Sequence, residues 1–259
     1  ALGNTPRRQD VSSTAPDDTA SRAAALVKRI LGALSCLLVA ALPGRPFAQD
    51  ISNYRGACDA SAAVALDAEH FAVGNDENNV LQVYRRGQPQ PVGAFDVSKF
   101  LGLRSNEEAD IEGAARVGQR IYWITSHARN SRGKADASRH RFFATELLPG
   151  QPPSLRALGV PYTRLLHDLA ASDALKPLRL ADASRLSAEA EGGFNIEGLA
   201  ATPEGKLLIG LRNPLPQHRA LVVPLENPAE LIEGKAARFG LPIELDLDQR
   251  GIRSLELVD

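Results

Sequence analysis

Two six-residue segments of this chain read almost alike. Asp110-Ile111-Glu112-Gly113-Ala114-Ala115 recurs as Asn195-Ile196-Glu197-Gly198-Leu199-Ala200. Each copy runs through a turn, Gly118-Gln119 or Pro203-Glu204-Gly205, into an apolar run at residues 120–126 or 206–211. Short apolar runs joined by a tight turn read as a β-hairpin. A hairpin that recurs means a fold assembled from repeated supersecondary units. Two weaker copies bracket this pair. Cys58-Asp59-Ala60-Ser61 leads through Asp67-Ala68-Glu69 into residues 71–74, and Gly251-Ile252-Arg253-Ser254-Leu255-Glu256 opens a fourth.

Aligning the phrases makes Asp59, Glu112, Glu197 and Arg253 equivalent, with gaps of 53, 85 and 56 residues. A four-stranded propeller blade with its loops takes roughly 40 to 50 residues. The spacing therefore predicts an all-β chain, a β-propeller of four-stranded antiparallel blades. The long middle gap must hold an insertion: a polar loop at 128–141 and a helical stretch at about 162–174, where Leu165, Leu166 and Leu169 share a face. Three blades and the start of a fourth are expected over residues 49–259. Propellers close with at least four blades, so the reading is of a chain cut short at its C-terminal end.

Ahead of the repeats, Lys28-Arg29, the apolar stretch 30–42 and Phe47-Ala48-Gln49 read as a secretory signal over residues 27–48. The 13-residue apolar run is short for a bilayer span. The sequence contains no methionine, and Val27 would suit a non-standard start codon. Residues 1–26 are then a disordered or mis-assigned extension. The expectation is an exported monomer, periplasmic or secreted, without a membrane span. Beyond the signal, Cys58 stands alone, so no intramolecular disulfide forms there. Its alignment with Ile111 and Ile196 predicts a buried, packing cysteine. A formal net charge of −1 with no basic stripe argues against nucleic-acid binding.

The hairpin topology brings the end of each second strand back to the rim where the phrase begins. That places Asp76, His127 and Arg212 at equivalent strand ends, beside Asp59, Glu112 and Glu197. Asp110 and Glu112, two apart on an extended chain, point to one side. Asp59, Asp110, Glu112 and Glu197 are candidate ligands for a hard cation such as Ca²⁺, with Asn195 as a further oxygen donor. The alternative is that these acids accept hydrogen bonds from neighbouring blades and lock the ring, with Arg253 neutralising them. His127 is a candidate general base, flanked by Arg129 and Asn130. Asp76, Arg129, Asn130, Arg212, Asn213 and Arg253 are candidate ligand-binding residues, the arginines for an anion. The commonest phosphate-loop, nucleophile-elbow and zinc motifs are absent from the sequence.

These residues carry a resemblance. Asp59-Ala-Ser-Ala-Ala, Asn75-Asp-Glu-Asn-Asn with Val83-Tyr84, Asp110-Ile-Glu-Gly with Ser126-His-Ala-Arg-Asn, and Arg139-His-Arg-Phe-Phe-Ala form an ordered set. Asn195-Ile-Glu-Gly-Leu-Ala, Leu211-Arg-Asn-Pro-Leu and Gly251-Ile-Arg-Ser-Leu-Glu continue it. The set resembles a bacterial family known only as domain of unknown function 3616, and spans about residues 54–258. The Asp-x-Glu-Gly phrase is also similar to secreted phytase-like or esterase-like propellers, some of whose distant relatives use calcium. The resemblance implies a propeller and transfers no catalytic assignment. Two functions stand open at this point. One is a calcium-assisted phosphoester or ester hydrolase, with Glu112, Glu197 and His127 at its centre. The other is a binding or scaffold propeller whose repeated acids are structural, with a small anionic ligand or a protein as partner.

Overall fold

The computed structural model describes residues 51–130 and 132–258. The extension and signal expected over residues 1–48 lie outside the described residues. From Ser52 onward the chain forms one compact unit of three sheets. The first holds β1 (Ala60–Ala65), β2 (His70–Asn75), β3 (Val80–Arg85) and β4 (Pro91–Asp96). The second holds β5 (Ile111–Val117), β6 (Arg120–Thr125), β7 (Phe142–Leu148) and β8 (Ser154–Tyr162). The third holds β9 (Asn195–Ala201), β10 (Leu207–Asn213), β11 (Ala220–Leu225) and β12 (Ile243–Leu245). Each sheet is an antiparallel meander in chain order. The first strands of successive sheets lie side by side, β1 against β5 and β5 against β9. Such sheets, arranged radially about their first strands, are the blades of an all-β, propeller-like fold.

Strand β6 shows why its sequence is apolar without a break. Ile121 and Trp123 point into the core shared with the first blade, beside Ile111 and Phe143. Tyr122 and Ile124 point the other way, into the core shared with the third blade. A strand buried on both faces loses the polar alternation of a half-exposed one. Trp123 stacks on Phe143 and satisfies its indole N–H on Thr145 Oγ1 at 3.0 Å. That bond is what lets a large ring with a polar atom sit in the core.

The glycine of the repeated phrase has a steric cause. A Cβ on Gly113 would lie 2.9 Å from Leu199 Cβ and 3.1 Å from the Leu199 amide nitrogen. A Cβ on Gly198 would lie 2.9 Å from Ile252 Cγ2 and 3.0 Å from Leu255 Cγ. In each case the next copy of the phrase presses against the glycine of the one before. The main chain joins successive copies as well: Ile196 N–H donates to Ser126 O and Ile252 N–H to Leu211 O, both at 3.0 Å. Residues 251–257 thus lie against the third blade as β9 lies against the second, although they form no strand.

The insertion between β8 and β9 contains helix Leu165–Ala171, a 3-10 segment Asp173–Leu178 and helix Leu180–Ala183. Leu165 and Leu169 are buried in the core between the second and third blades, with Leu166 packed beside it. Among the described residues no helix is long and apolar enough to cross a membrane. Cys58 is exposed, contrary to the packing role expected from its alignment.

Candidate functional site

The strand pairing corrects the sequence alignment of the first copy by two residues. Ala60 faces Asn75 as Ile111 faces Thr125 and Ile196 faces Leu211. Asp59 therefore corresponds to Asp110 and Asn195, and Ser61 takes the place of Glu112 and Glu197. The register also breaks at the same point in all three inner strands, between Ala60 and Ala62, between Ile111 and Gly113, and opposite Gly210 and Leu211. Ser61, Glu112 and Glu197 are the extra, bulged residues there. A bulge frees a residue from the ladder and re-aims its side chain. This is how the repeated phrase delivers a glutamate to the mouth of the arc.

The equivalent positions at the ends of the second strands are Asp76, Ser126 and Arg212, and the amides of Asp76 and Ser126 donate to Asp59 O and Asp110 O. His127 is thus one residue beyond the position its alignment assigned, and matches Asn213 rather than Arg212. These ends and bulges surround a cavity of about 680 Å³. Its lining carries six carboxylates, from Asp59, Asp76, Asp110, Glu112, Glu189 and Glu197, against the four guanidiniums of Arg129, Arg139, Arg212 and Arg253. The formal balance is −2 when all are ionised.

The charges are sorted unevenly. Glu197 is buried and surrounded by donors: Asn195 Nδ2 at 2.8 Å, Arg212 Nη1 at 2.9 Å and Arg253 Nη1 at 3.1 Å. At the step between the first and second blades the same three places hold the opposite arrangement. Ser61 stands where Glu197 does, Asp76 replaces Arg212, and Glu112 replaces Arg253. Carboxylate oxygens of Asp76, Asp110 and Glu112 lie within 4.8 Å of one another. Asp76 Oδ1 is buried and has no hydrogen-bond partner.

Asp110 is 5% exposed and adopts a left-handed backbone, φ 62°. Arg139 Nη1 donates to its Oδ2 at 2.7 Å. Burial nevertheless outweighs this partner and the Ser126 hydroxyl, and raises the carboxyl to about 6. Glu112 is pushed further, to about 8, by burial first and then by the charges of Asp110, Glu197 and Asp76. Both shifts favour a proton on this group of acids at neutral pH.

Other expected site residues fall elsewhere. His127 is 1% exposed, stacked on His140 at 5.5 Å, with Nδ1 against Thr125 O at 2.8 Å. Burial, then His140, drives it down to about 3, and it does not line the cavity. The structure does not bring this histidine to the acids as a base. Asn213 also stands behind the wall, donating to Ala188 O at 2.9 Å. Asn130 lines the cavity, but its Oδ1 is used to staple the loop through the amides of Arg132 and Lys134. Asp59 lines the cavity and is exposed, outside the cluster of three. Arg139 was missed as a site residue by sequence reasoning. The meander could have found it, because residues just before β7 return to the rim where β6 ends.

Residues 59–147 match the family described as "Protein of unknown function (DUF3616)", the family this sequence resembles. No curated protein matches the chain. Among solved structures it is similar to the glutaminyl cyclase of Myxococcus xanthus, at 15% identity and a TM-score of 0.41, over 81% of this chain and 62% of that one. A protein of unknown function from Bacteroides caccae matches at 10% identity and a TM-score of 0.29, over 69% and 41% of the two chains. A luciferin-regenerating enzyme matches at 9% identity and a TM-score of 0.27, over 70% and 61%.

Proposed function

We propose that the mouth of this propeller-like arc binds Ca²⁺ and, with it, a small anionic ligand, and that its chemistry is hydrolysis of a phosphoester or related ester. The observation that carries the reading is the reversed charge pattern at Asp76, Asp110 and Glu112. In the third blade two arginines neutralise Glu197 internally. Between the first and second blades, among the described residues, only Arg139 faces the three acids with an ion pair. A divalent ion supplies the missing charge.

The donor set suits a hard cation. All three groups are carboxylates, and among the described residues no histidine or cysteine joins them. Ca²⁺ takes six to eight oxygens at roughly 2.3–2.6 Å, whereas Zn²⁺ prefers imidazole and thiolate. A bound cation of this kind polarises a phosphoryl or carbonyl oxygen and favours attack by water. Glu112, raised to about 8 by burial, is the ligand that must give up a proton for the cation to bind there. Glu197 belongs to the scaffold, tying β9 to β10 and to the segment carrying Arg253. An exported location fits a three-carboxylate site of modest affinity, because extracellular calcium modules work at roughly 10⁻⁴–10⁻³ M.

Thermal melting with calcium and then with chelator tests the cation. A rise of several degrees that disappears in Glu112→Gln supports the reading, and an unchanged melting point overturns it. A panel of phosphomonoesters and carboxylic esters, run with and without calcium, tests the reaction.

A further inference from the structure

We infer that Arg129, held in place by the insertion between the second and third blades, is the receptor for an oxyanion, phosphate or carboxylate, on the ligand of this cavity. The inference rests on the reading of the cavity as a ligand site and assigns its anion-binding end.

Four arginines line the cavity. Arg139 is committed to Asp110, and Arg212 and Arg253 to Glu197. Arg129 differs from all three. Among the described residues no carboxylate lies within ion-pair distance of it, although it is half-buried. Its partners are two main-chain carbonyls: Nε donates to Ser184 O at 3.1 Å and Nη1 to Gly133 O at 3.0 Å. Those bonds fix the guanidinium without neutralising it.

A guanidinium carries five N–H donors. Two are used here, which leaves three on a cation already held in one orientation. A planar fork of this kind matches two oxygens of a phosphate or carboxylate, and pre-fixing it removes much of the side-chain entropy that binding otherwise costs. Partial burial adds to the effect, since an unpaired charge away from bulk water gains more from an incoming anion than a surface arginine does.

The insertion sets the position. Ser184 anchors the Arg129 side chain, and Ser187, Ala188 and Glu189 form the adjoining wall. Asn213 Nδ2 in turn holds Ala188 O at 2.9 Å, fixing that wall to the end of β10. The acids at the first blade step and Arg129 therefore line one cavity. A ligand with an anionic group and an oxygen-rich reacting group meets both.

Calorimetric titration of the whole chain with inorganic phosphate, and separately with succinate, tests this assignment. Each is run in calcium and in chelator, for wild type, Arg129→Gln and Arg129→Lys. Circular dichroism confirms that each variant is folded. The expected result is an oxyanion that binds wild type and weakens on the order of tenfold or more in Arg129→Gln, with Arg129→Lys between them. Loss of phosphate binding points to a phosphorylated ligand, and loss of succinate binding alone to a carboxylate. Equal affinity in folded wild type and Arg129→Gln overturns the assignment, and so does failure of both anions to bind wild type. Arg129-dependent binding that is indifferent to calcium supports the anion site and leaves the cation to its own titration.

Discussion

Replacing Glu112 by Gln isolates the most unusual electrostatic feature of the cavity. Gln keeps the shape of the side chain and removes its ionisation. The folded protein raises this carboxyl from 4.5 to about 8. A group whose folded pKa is raised contributes stability that is complete below its unfolded value and is lost as pH rises through the folded one. For Glu112 that loss runs from about pH 4.5 to about pH 8. At about 1.36 kcal/mol per unit the displacement corresponds to at most about 5 kcal/mol, and partial solvent access reduces it to on the order of 2 kcal/mol. For a chain of this size, about 2 kcal/mol is roughly 4–8 °C in melting temperature. Melting measured in chelator from about pH 5 to pH 9 should show wild type falling by that amount relative to Glu112→Gln. Asp110, raised to about 6, remains in both proteins and largely cancels from the comparison. Wild type and variant curves that run parallel across the range would refute the account of how the acids are charged.

Gly113→Ala should cost about 1–3 kcal/mol in urea unfolding, because its Cβ meets Leu199 backbone as well as side chain; a cost under about 0.5 kcal/mol contradicts the packing of phrase against phrase. Arg212→Gln should destabilise by about 1–3 kcal/mol by stripping a partner from buried Glu197, and Glu197→Gln made with it should recover part of that loss; additive losses argue against the pairing. His127, driven down to about 3, should show no imidazole titration by NMR between about pH 4.5 and pH 8, whereas a midpoint near 6.5 would return it to the list of available bases.

The blades were legible because period and pattern are properties of the chain itself. The phrase, its turn and the apolar run after it recur at two places and recover β5–β6 and β9–β10 as hairpins. Register was less legible. In the first copy Ser61 stands where the glutamate is elsewhere, so matching carboxylate to carboxylate slid the alignment by two residues. Only the ladder, with Ala60 opposite Asn75, corrects it. The acids and arginines of the mouth were recognised as a group, because strand ends meet at one rim whatever the fine register. Their pairing was not, since it depends on which bulge faces which neighbour across a blade step. His127 failed for a related reason. A left-handed φ of 53° and stacking on His140 turn it inward, and both come from tertiary contacts of a loop whose sequence reads as solvated.

The central claim is that Asp76, Asp110 and Glu112 form one cation site. Calorimetric titration with calcium at about pH 7.5, repeated in two buffers of different ionisation enthalpy, tests it most directly. The account predicts a single site that releases up to one proton as calcium displaces it from Glu112, and loss of that site in Asp76→Asn. Absence of binding at millimolar calcium, or binding that Asp76→Asn leaves intact, would contradict it.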